Sequence, residues 1–523
     1  MCVLAYAPLG AEGLIIRVET DIRRGIPGID ITGLAEGAVR EARERVRASF
    51  RNSGFEFPLD RILINLAPAG VRKEGASLDL PIAVSVMAAA ATVPVPDNIM
   101  VLGELELSGR VRPVRGVLAA LAAGLKAGIE EFIVPLENIS EAAILKGLRF
   151  FPAATLAEVV HALLIRKETG ELPYIDYIGL ENSGSDYSSY IGAGDFSEVK
   201  GQLTYKRALE IAAAGGHNLL VFGPPGSGKT MLARRFPSIM PPLAVDEAVE
   251  VTRLHSLAGQ GLNQHLGGLI KEPPFRSPHH SASLEGILGG GRNVRPGEIS
   301  LAHFGTLFLD EAPEFRKPVL QSLREPLEDR VITIARAEGP QRLPADFQVI
   351  LAANSCPCGR LGAPLLDANL PGCFCTPDEI NRYWRKLGSA LLDRIDLRVP
   401  VCAPGVLMPS GDGEEKSDLI RKRVARATEI QRQRFTGLEI RRNSRMIPSQ
   451  IEKFCLLSKK AEEAFNLAAV KLSLSGRACH SILKVARTIA DLEGIESIDT
   501  VHILEAVQHR RFGDDPYDIL AQP

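Results

Sequence analysis

Two kinds of apolar pattern follow one another along the chain, and the place where they change divides it. Up to about residue 166, short β-rich runs alternate with alanine-rich stretches at helical spacing. Positions 38–50, 80–91 and 117–127 read as helices, and 61–66 and 132–134 as strands. The pattern predicts an α/β or α+β domain over 1–167. Gly, Ser, Tyr and Asp then dominate 168–197, no 3.6-residue period survives, and the segment reads as a linker. Near-continuous apolar runs at 218–222, 306–309 and 349–352 predict a parallel sheet covered on both faces, within a core spanning 198–404. After a loop near 405–415, helical periodicity at 419–435, 459–474, 480–490 and 501–506 predicts a small all-helical domain within 405–523.

Composition adds little to this picture and removes some classes. With 45% hydrophobic and 24% charged residues, nothing points to wholesale disorder, and 523 residues are enough for two or three packed domains. A net charge of -2 means that any nucleic-acid partner must be met by a local basic surface. The opening MCVLAYAPLG lacks the pattern of an export signal and no apolar run reaches spanning length, so a cytoplasmic protein with no membrane contact is expected. Eight cysteines, four of them closely grouped, favour a reducing compartment and metal binding over a disulfide framework.

Candidate chemistry concentrates in the core. Gly223-Pro224-Pro225-Gly226-Ser227-Gly228-Lys229-Thr230 follows an apolar strand and opens a helix, the context in which backbone N–H groups curl around phosphates. In such a loop Lys229 reaches the terminal phosphates of ATP and Thr230 offers its hydroxyl to Mg²⁺. The apolar run Leu307-Phe308-Leu309 ends in Asp310 and Glu311. Successive strand residues point oppositely, so Asp310 is free to grip the hydrated Mg²⁺ while Glu311 activates the attacking water. Asn354, ending the next strand, is placed to bridge water and γ-phosphate. Arg394 in LLDRID and Arg477 in LSGRACH are guanidinium groups able to neutralise developing charge.

These motifs, with NLAPAGVRKEGASLDLPIA (65–83), GQLTYKRALEIAAAGGHNLLVFGPPGSGKT (201–230), FRSPHHSAS (275–283), GEISLAHFGTLFLDEAPEF (297–315) and LLDRIDL (391–397), resemble the magnesium-chelatase-like AAA+ family known as ComM or YifB, over nearly the whole chain. The resemblance implies an α/β P-loop AAA+ core with a helical C-terminal lid, preceded by a Lon-protease-like (ribosomal protein S5 domain 2-like) α+β domain. It also implies a homo-oligomer, a hexameric ring, that hydrolyses ATP to drive branch migration of single-stranded or branched DNA during natural transformation. Lys229, Thr230, Asp310 and Glu311 take the nucleotide-motif roles, and Asn354 resembles the sensor-one residue. Arg394 resembles the finger completing a neighbour's site, and Arg477 the sensor-two arginine. An insert near 274–291 and a hairpin over 331–347, turning at Ala337-Glu338-Gly339, are implied to face the pore. Arg276, His279, His280, Arg336 and Arg342 become DNA-contact candidates. The KEGASLDLP segment is similar to the nucleophile segment of Lon-type proteases, with Ser77 at the serine position. Leu118 stands where the protease has its lysine, and leucine accepts no proton.

Three further features complete the reading. Cys356 and Cys358 with Cys373 and Cys375 form two C-x-C pairs able to close one tetrahedral S₄ site, for which structural Zn²⁺ is expected. The run 421–445 holds nine Lys/Arg against two acidic residues, either a field for phosphate backbones or a solvated charged helix. Trp384 is expected to pack rather than stack on a base. Two other functions fit the same core: a magnesium-chelatase motor subunit, and an AAA+ protein remodeller acting on no DNA.

Overall fold

A computed structural model of the chain describes residues 2–33, 37–69, 73, 76–145, 147–174, 194–259, 268–291, 294–336, 339–362, 372–401 and 414–510. Most of the expected linker, most of the 405–415 loop and the hairpin turn at Ala337 and Glu338 lie outside them.

The first domain is built on a seven-stranded mixed sheet in the order Gly28–Thr32, Arg61–Ala67, Leu14–Arg23, Cys2–Ala7, Ile99–Val101, Glu131–Pro135, Arg149–Ala153. Leu14–Arg23 runs antiparallel to both its neighbours, whereas the remaining pairs are parallel. Alternation along the strands separates two apolar layers. Val3, Ala5, Ile99, Val101 and Ile133 face one core, and Tyr6, Met100, Phe132 and Val134 face another. The first core is covered by the helices Gly37–Asn52 and Asp79–Ala89. The second is covered by Val117–Lys126, which packs in turn on the helix Val245–Leu257. Gly116 N–H donates to Ser256 Oγ at 2.9 Å, and Ser256 Oγ to Glu141 at 2.5 Å, fixing this junction between the two parts of the chain.

The second sheet carries the candidate site. Its five strands lie in the order Phe275–Arg276, Thr306–Leu309, Gln348–Asn354, Leu219–Gly223, Leu397–Pro400, all parallel. Thr306–Leu309 and Leu219–Gly223 are buried at every position, which is why they read as continuous apolar runs. Each buried Leu, Val or Phe in them contributes about 1.5–3 kcal/mol of transfer free energy. Parallel register sets the functional ends side by side: Gly223 pairs with Asn354, and Leu309 with Leu351. The expected insert is more ordered than a projecting loop. Phe275–Arg276 is an edge strand of this sheet, followed by a short helix Leu284–Leu288 and a small ribbon of Gly289–Gly290 with Arg295–Pro296.

The last described part of the chain holds the helices Ser417–Arg434, Lys459–Lys471, Gly476–Glu493 and Thr500–Arg510. Ser458 and Ser475 cap two of them by accepting from Ala461 N–H and Ala478 N–H. The bundle docks on the end of the core sheet where the strands begin. Asp396, just before the last strand, accepts from Ser481 Oγ at 2.6 Å and meets His217 Nδ1 at 3.2 Å, while His217 Nε2 lies 2.8 Å from Thr488. Burial raises the Asp396 pKa, but the His217 and Ser481 contacts prevail and hold it at about 2.

Candidate phosphate-binding site

The strand Leu219–Gly223 delivers the chain into a turn in which Gly226 and Gly228 take φ of 75° and 82°. A Cβ at either would meet no atom, so the glycines serve backbone conformation and not close packing. The helix Lys229–Arg235 starts directly after them. Lys229 Nζ donates to Gly223 O at 2.9 Å and Pro224 O at 2.8 Å, and Ser227 Oγ donates to Pro224 O at 2.7 Å. The ammonium is thus held against the loop's own carbonyls. Its burial lowers the pKa to about 8, against the opposing pull of Asp310 and Glu311. Gln202 donates to Ser227 O at 3.1 Å and Tyr205 to Lys229 O at 3.2 Å, so the preceding segment braces the loop. Sequence reasoning gave these two residues no role, although both lie in the quoted GQLTYKRA stretch.

The second motif comes up against the first. Thr230 Oγ1 donates to Asp310 Oδ2 at 2.9 Å, and Glu311 N–H donates to Asp310 Oδ1 at 3.0 Å. Glu311 has φ of 49°, in the left-handed region that a residue with a Cβ seldom adopts, and its side chain is exposed. Asn354 stands at the end of the neighbouring strand, opposite Gly223. Glycine loop, ammonium, hydroxyl and two carboxylates therefore share one edge of the sheet, the donor set that a phosphate chain with a divalent cation requires.

The two arginines stand elsewhere. Arg394 precedes the strand Leu397–Pro400, whose first residue pairs with Leu219, the start of the phosphate-loop strand. It lies at the opposite edge of the sheet from Gly223, separated by a strand length of roughly 13 Å. There Arg394 pairs with Glu328 at 2.7 Å, and Arg477 pairs with the same Glu328 and with Asp393 at 3.3 Å. Two residues 83 positions apart meet on one carboxylate, and the sequence carries no signal that singles out Glu328.

The four cysteines converge. Their sulfurs lie within 4.8 Å of one another, with Cys356 to Cys358 at 3.3 Å, Cys356 to Cys373 at 3.6 Å and Cys358 to Cys373 at 3.7 Å. Zinc–thiolate bonds of about 2.3 Å in a tetrahedron separate sulfurs by roughly 3.8 Å, so the cluster fits that ion. The knuckle abuts the phosphate loop: a Cβ on Gly359 would come within 2.9 Å of Pro225 Cδ. Trp384 is buried here, donating to Ser355 O at 2.9 Å with its ring edge-on to Phe222.

Among the DNA-contact candidates, Arg276 is already engaged by Glu298 at 2.7 and 2.9 Å. His279 is exposed, its ring 4.1 Å from that of the half-buried His280. The hairpin forms from Val331–Ile334 and Gln341–Pro344. Its Arg336 and Arg342 are exposed, Arg336 donating to Gly291 O. The basic run is largely neutralised within the chain. Arg421, Lys422, Arg423, Arg432, Arg434, Arg441 and Arg445 each face a carboxylate. Ser77 lies in a turn just before the helix Asp79–Ala89, and Leu118 is fully buried.

Family profiles described as magnesium chelatase subunit ChlI match residues 195–406, with a ChlI profile at 18–138 and the ChlI C-terminal profile at 414–510. The chain is 41% identical to YifB of Salmonella typhimurium over 96% of each chain, and 40% identical to the competence protein ComM of Haemophilus influenzae over 97% of each. It belongs to the ComM/YifB family of magnesium-chelatase-like AAA+ ATPases. Rv2897c of Mycobacterium tuberculosis, 39% identical over 97% of this chain and 98% of its own, extends the ComM/YifB likeness. Lon protease 2 of Bacillus subtilis is 27% identical over 32% of this chain and 33% of its own. Among the described residues, no helix of this ComM/YifB chain is long and apolar enough to cross a membrane.

Proposed function

We propose that the chain is one subunit of a cytoplasmic, ring-shaped ATPase, a hexamer, that drives branch migration of single-stranded or branched DNA. The observation that carries this reading is the split of the catalytic set between opposite edges of one sheet. Lys229, Thr230, Asp310, Glu311 and Asn354 lie together where the central strands end, and Arg394 and Arg477 lie together where they begin; the first set would hold ATP and Mg²⁺. A complete site then needs two subunits, and opening their interface withdraws the Arg394 guanidinium, which ties hydrolysis to subunit motion, with Arg477 as the sensor-two arginine of the lid. His279, His280, Arg336 and Arg342, on the insert and hairpin, offer exposed or half-buried groups to a phosphate backbone without reading sequence. The name competence protein, carried by the Haemophilus relative, agrees with a DNA substrate.

The ChlI profiles favour a second reading, a motor subunit for inserting Mg²⁺ into a porphyrin. The four-cysteine knuckle argues against it, whereas the first domain, matched by a ChlI profile over 18–138, does not separate the two. That domain, without a lysine to pair with Ser77, serves assembly or DNA engagement in this reading. A synthetic four-way junction separates the possibilities. Wild-type protein with ATP should migrate it, and Glu311→Gln protein should bind it without migration. A wild-type protein that neither migrates the junction nor hydrolyses ATP faster with DNA sinks the DNA motor.

Two further outcomes follow from the site. Lys229 loses its proton in the free loop near pH 8, whereas bound phosphates would keep it charged. ATP affinity, titrated calorimetrically at pH 7, 8 and 9, should therefore be flat below about pH 8 and fall by up to tenfold per unit above it. Zn²⁺ on Cys356, Cys358, Cys373 and Cys375 would act as a structural clip beside the phosphate loop. Cys373→Ser should release metal that atomic absorption detects in the wild-type protein, and a wild-type protein purified without metal contradicts the assignment.

A further inference from the structure

We infer that the chain carries a second binding site, for a nucleoside phosphate, in a cavity at the end of the core sheet opposite the phosphate loop. The cavity measures about 1040 Å³, at the upper end of the range in which small-molecule and cofactor sites fall. Several parts of the chain wall it, the helix Val245–Leu257 among them. The first-domain loop contributes Leu9 to Gly13 without Gly10, the hairpin contributes Gln341 and Arg342, and the segment before the lid contributes Arg441 to Arg445 without Asn443. Gly305, Phe347 and Gln348 place it where the central strands begin, so it shares no residue with the loop around Lys229.

Its charge is the first argument. Glu247, Glu250 and Asp346 are already matched, by Arg441, Arg253 and Arg445. Among the described residues, Arg330, Arg342 and Arg442 make no ion pair, leaving three guanidinium groups in a wall whose remaining acids are Glu12 and Glu439. Arg330 Nη2 donates to Arg445 O at 3.2 Å, and Arg442 Nη1 to Thr428 Oγ1 at 2.8 Å, so neutral groups position these cations, with Asp346 near both but paired to Arg445. Arg330 and Arg442 are half-buried and Arg342 is exposed at the mouth, and a phosphate accepts from several guanidinium N–H groups at once.

Phe304 supplies the second, independent argument. This bulky residue has φ of 53°, a conformation that persists only where the surroundings enforce it. Its N–H donates to Asp346 O at 2.6 Å, and its half-buried ring lies 3.9 Å from the His303 ring with the Arg441 guanidinium 5.7 Å from its centre. The enforced backbone thus presents an aromatic, cationic wall beside the unpaired arginines. Aromatic surface for a base and guanidinium groups for phosphates together select a nucleotide over a bare inorganic anion. Two sources supply that chemistry: a free nucleotide, and a nucleotide within a single strand.

The test uses the full chain with Lys229→Ala, which disables the phosphate loop. ATP and pyrophosphate are measured by equilibrium dialysis, and a fluorescent six-nucleotide thymidine strand by anisotropy. We expect saturable binding of ATP or of the strand that survives Lys229→Ala, and that weakens at least tenfold when Arg342→Ala or Phe304→Leu is added. Arg342 is exposed, so its removal should leave thermal unfolding unchanged and keep the test interpretable if Phe304→Leu fails to fold. ATP binding alone assigns a free nucleotide, strand binding that falls with Phe304→Leu as well as with Arg342→Ala assigns nucleic acid, and strand binding that depends on Arg342 but not on Phe304 belongs to the hairpin contact and overturns the site. Loss of all binding with Lys229→Ala, or residual binding indifferent to Arg342→Ala, overturns the site. Pyrophosphate binding as tight as ATP overturns the nucleoside part.

Discussion

Replacing Glu311 with Gln should leave ATP bound while lowering its steady-state hydrolysis by roughly 10²–10⁴-fold, the usual worth of a positioned general base. The two carboxylates that end the Thr306–Leu309 strand are not equivalent. Asp310 is fixed from both sides, by Thr230 Oγ1 at 2.9 Å and by Glu311 N–H at 3.0 Å, as its proposed role beside the cation requires. Glu311 is exposed and, among the described residues, makes no ion pair, so its carboxylate is free to receive a proton from water. Gln keeps the size and the φ preference of Glu, and its carbonyl still orients a water, but it takes no proton. Binding by calorimetry and phosphate release in the same preparation separate the two steps. Wild-type turnover by Glu311→Gln would remove the water-activating role.

That site was legible because its signals are local. A buried strand, a glycine turn and a helix start fall within a dozen residues, and the strand Thr306–Leu309 is bounded as its apolar run suggests. Other elements carried weaker signals. Leu14–Arg23 places Ile16, Val18 and Thr20 inward, but charged residues at alternate positions dilute the apolar run. The helix Gly476–Glu493 begins four residues before its apolar period is recognisable at 480, because a serine cap rather than an apolar face starts it. Partnership was least legible of all. The run 421–445 reads as a basic field until Glu210, Glu247 and Glu272, all more than 100 residues away, are seen to neutralise Arg423, Arg432 and Arg421. Charge is written in the sequence, whereas its compensation is a tertiary fact.

Arg394→Ala should leave ATP affinity within about twofold of wild type and reduce hydrolysis by roughly a thousandfold or more, as removal of a guanidinium supplied in trans does. The affinity part follows from place, since the chain's own phosphate loop lies a strand length away. The substitution also frees Glu328, which Arg477 continues to hold. Glu328 is more than a third exposed, so losing this half of the pair should cost ~1 kcal/mol or less. A loss of hydrolysis through misfolding would therefore show in thermal unfolding. Mixing decides between a cis and a trans role. An Arg394→Ala subunit keeps its phosphate loop, and a Lys229→Ala subunit keeps its finger, so each alone is inactive. Co-assembled, they create interfaces where an intact loop faces an intact Arg394, and a fraction of wild-type hydrolysis should return. If Arg394 acted within its own chain, no mixed interface could combine the two, and the mixture would stay as inactive as its parts.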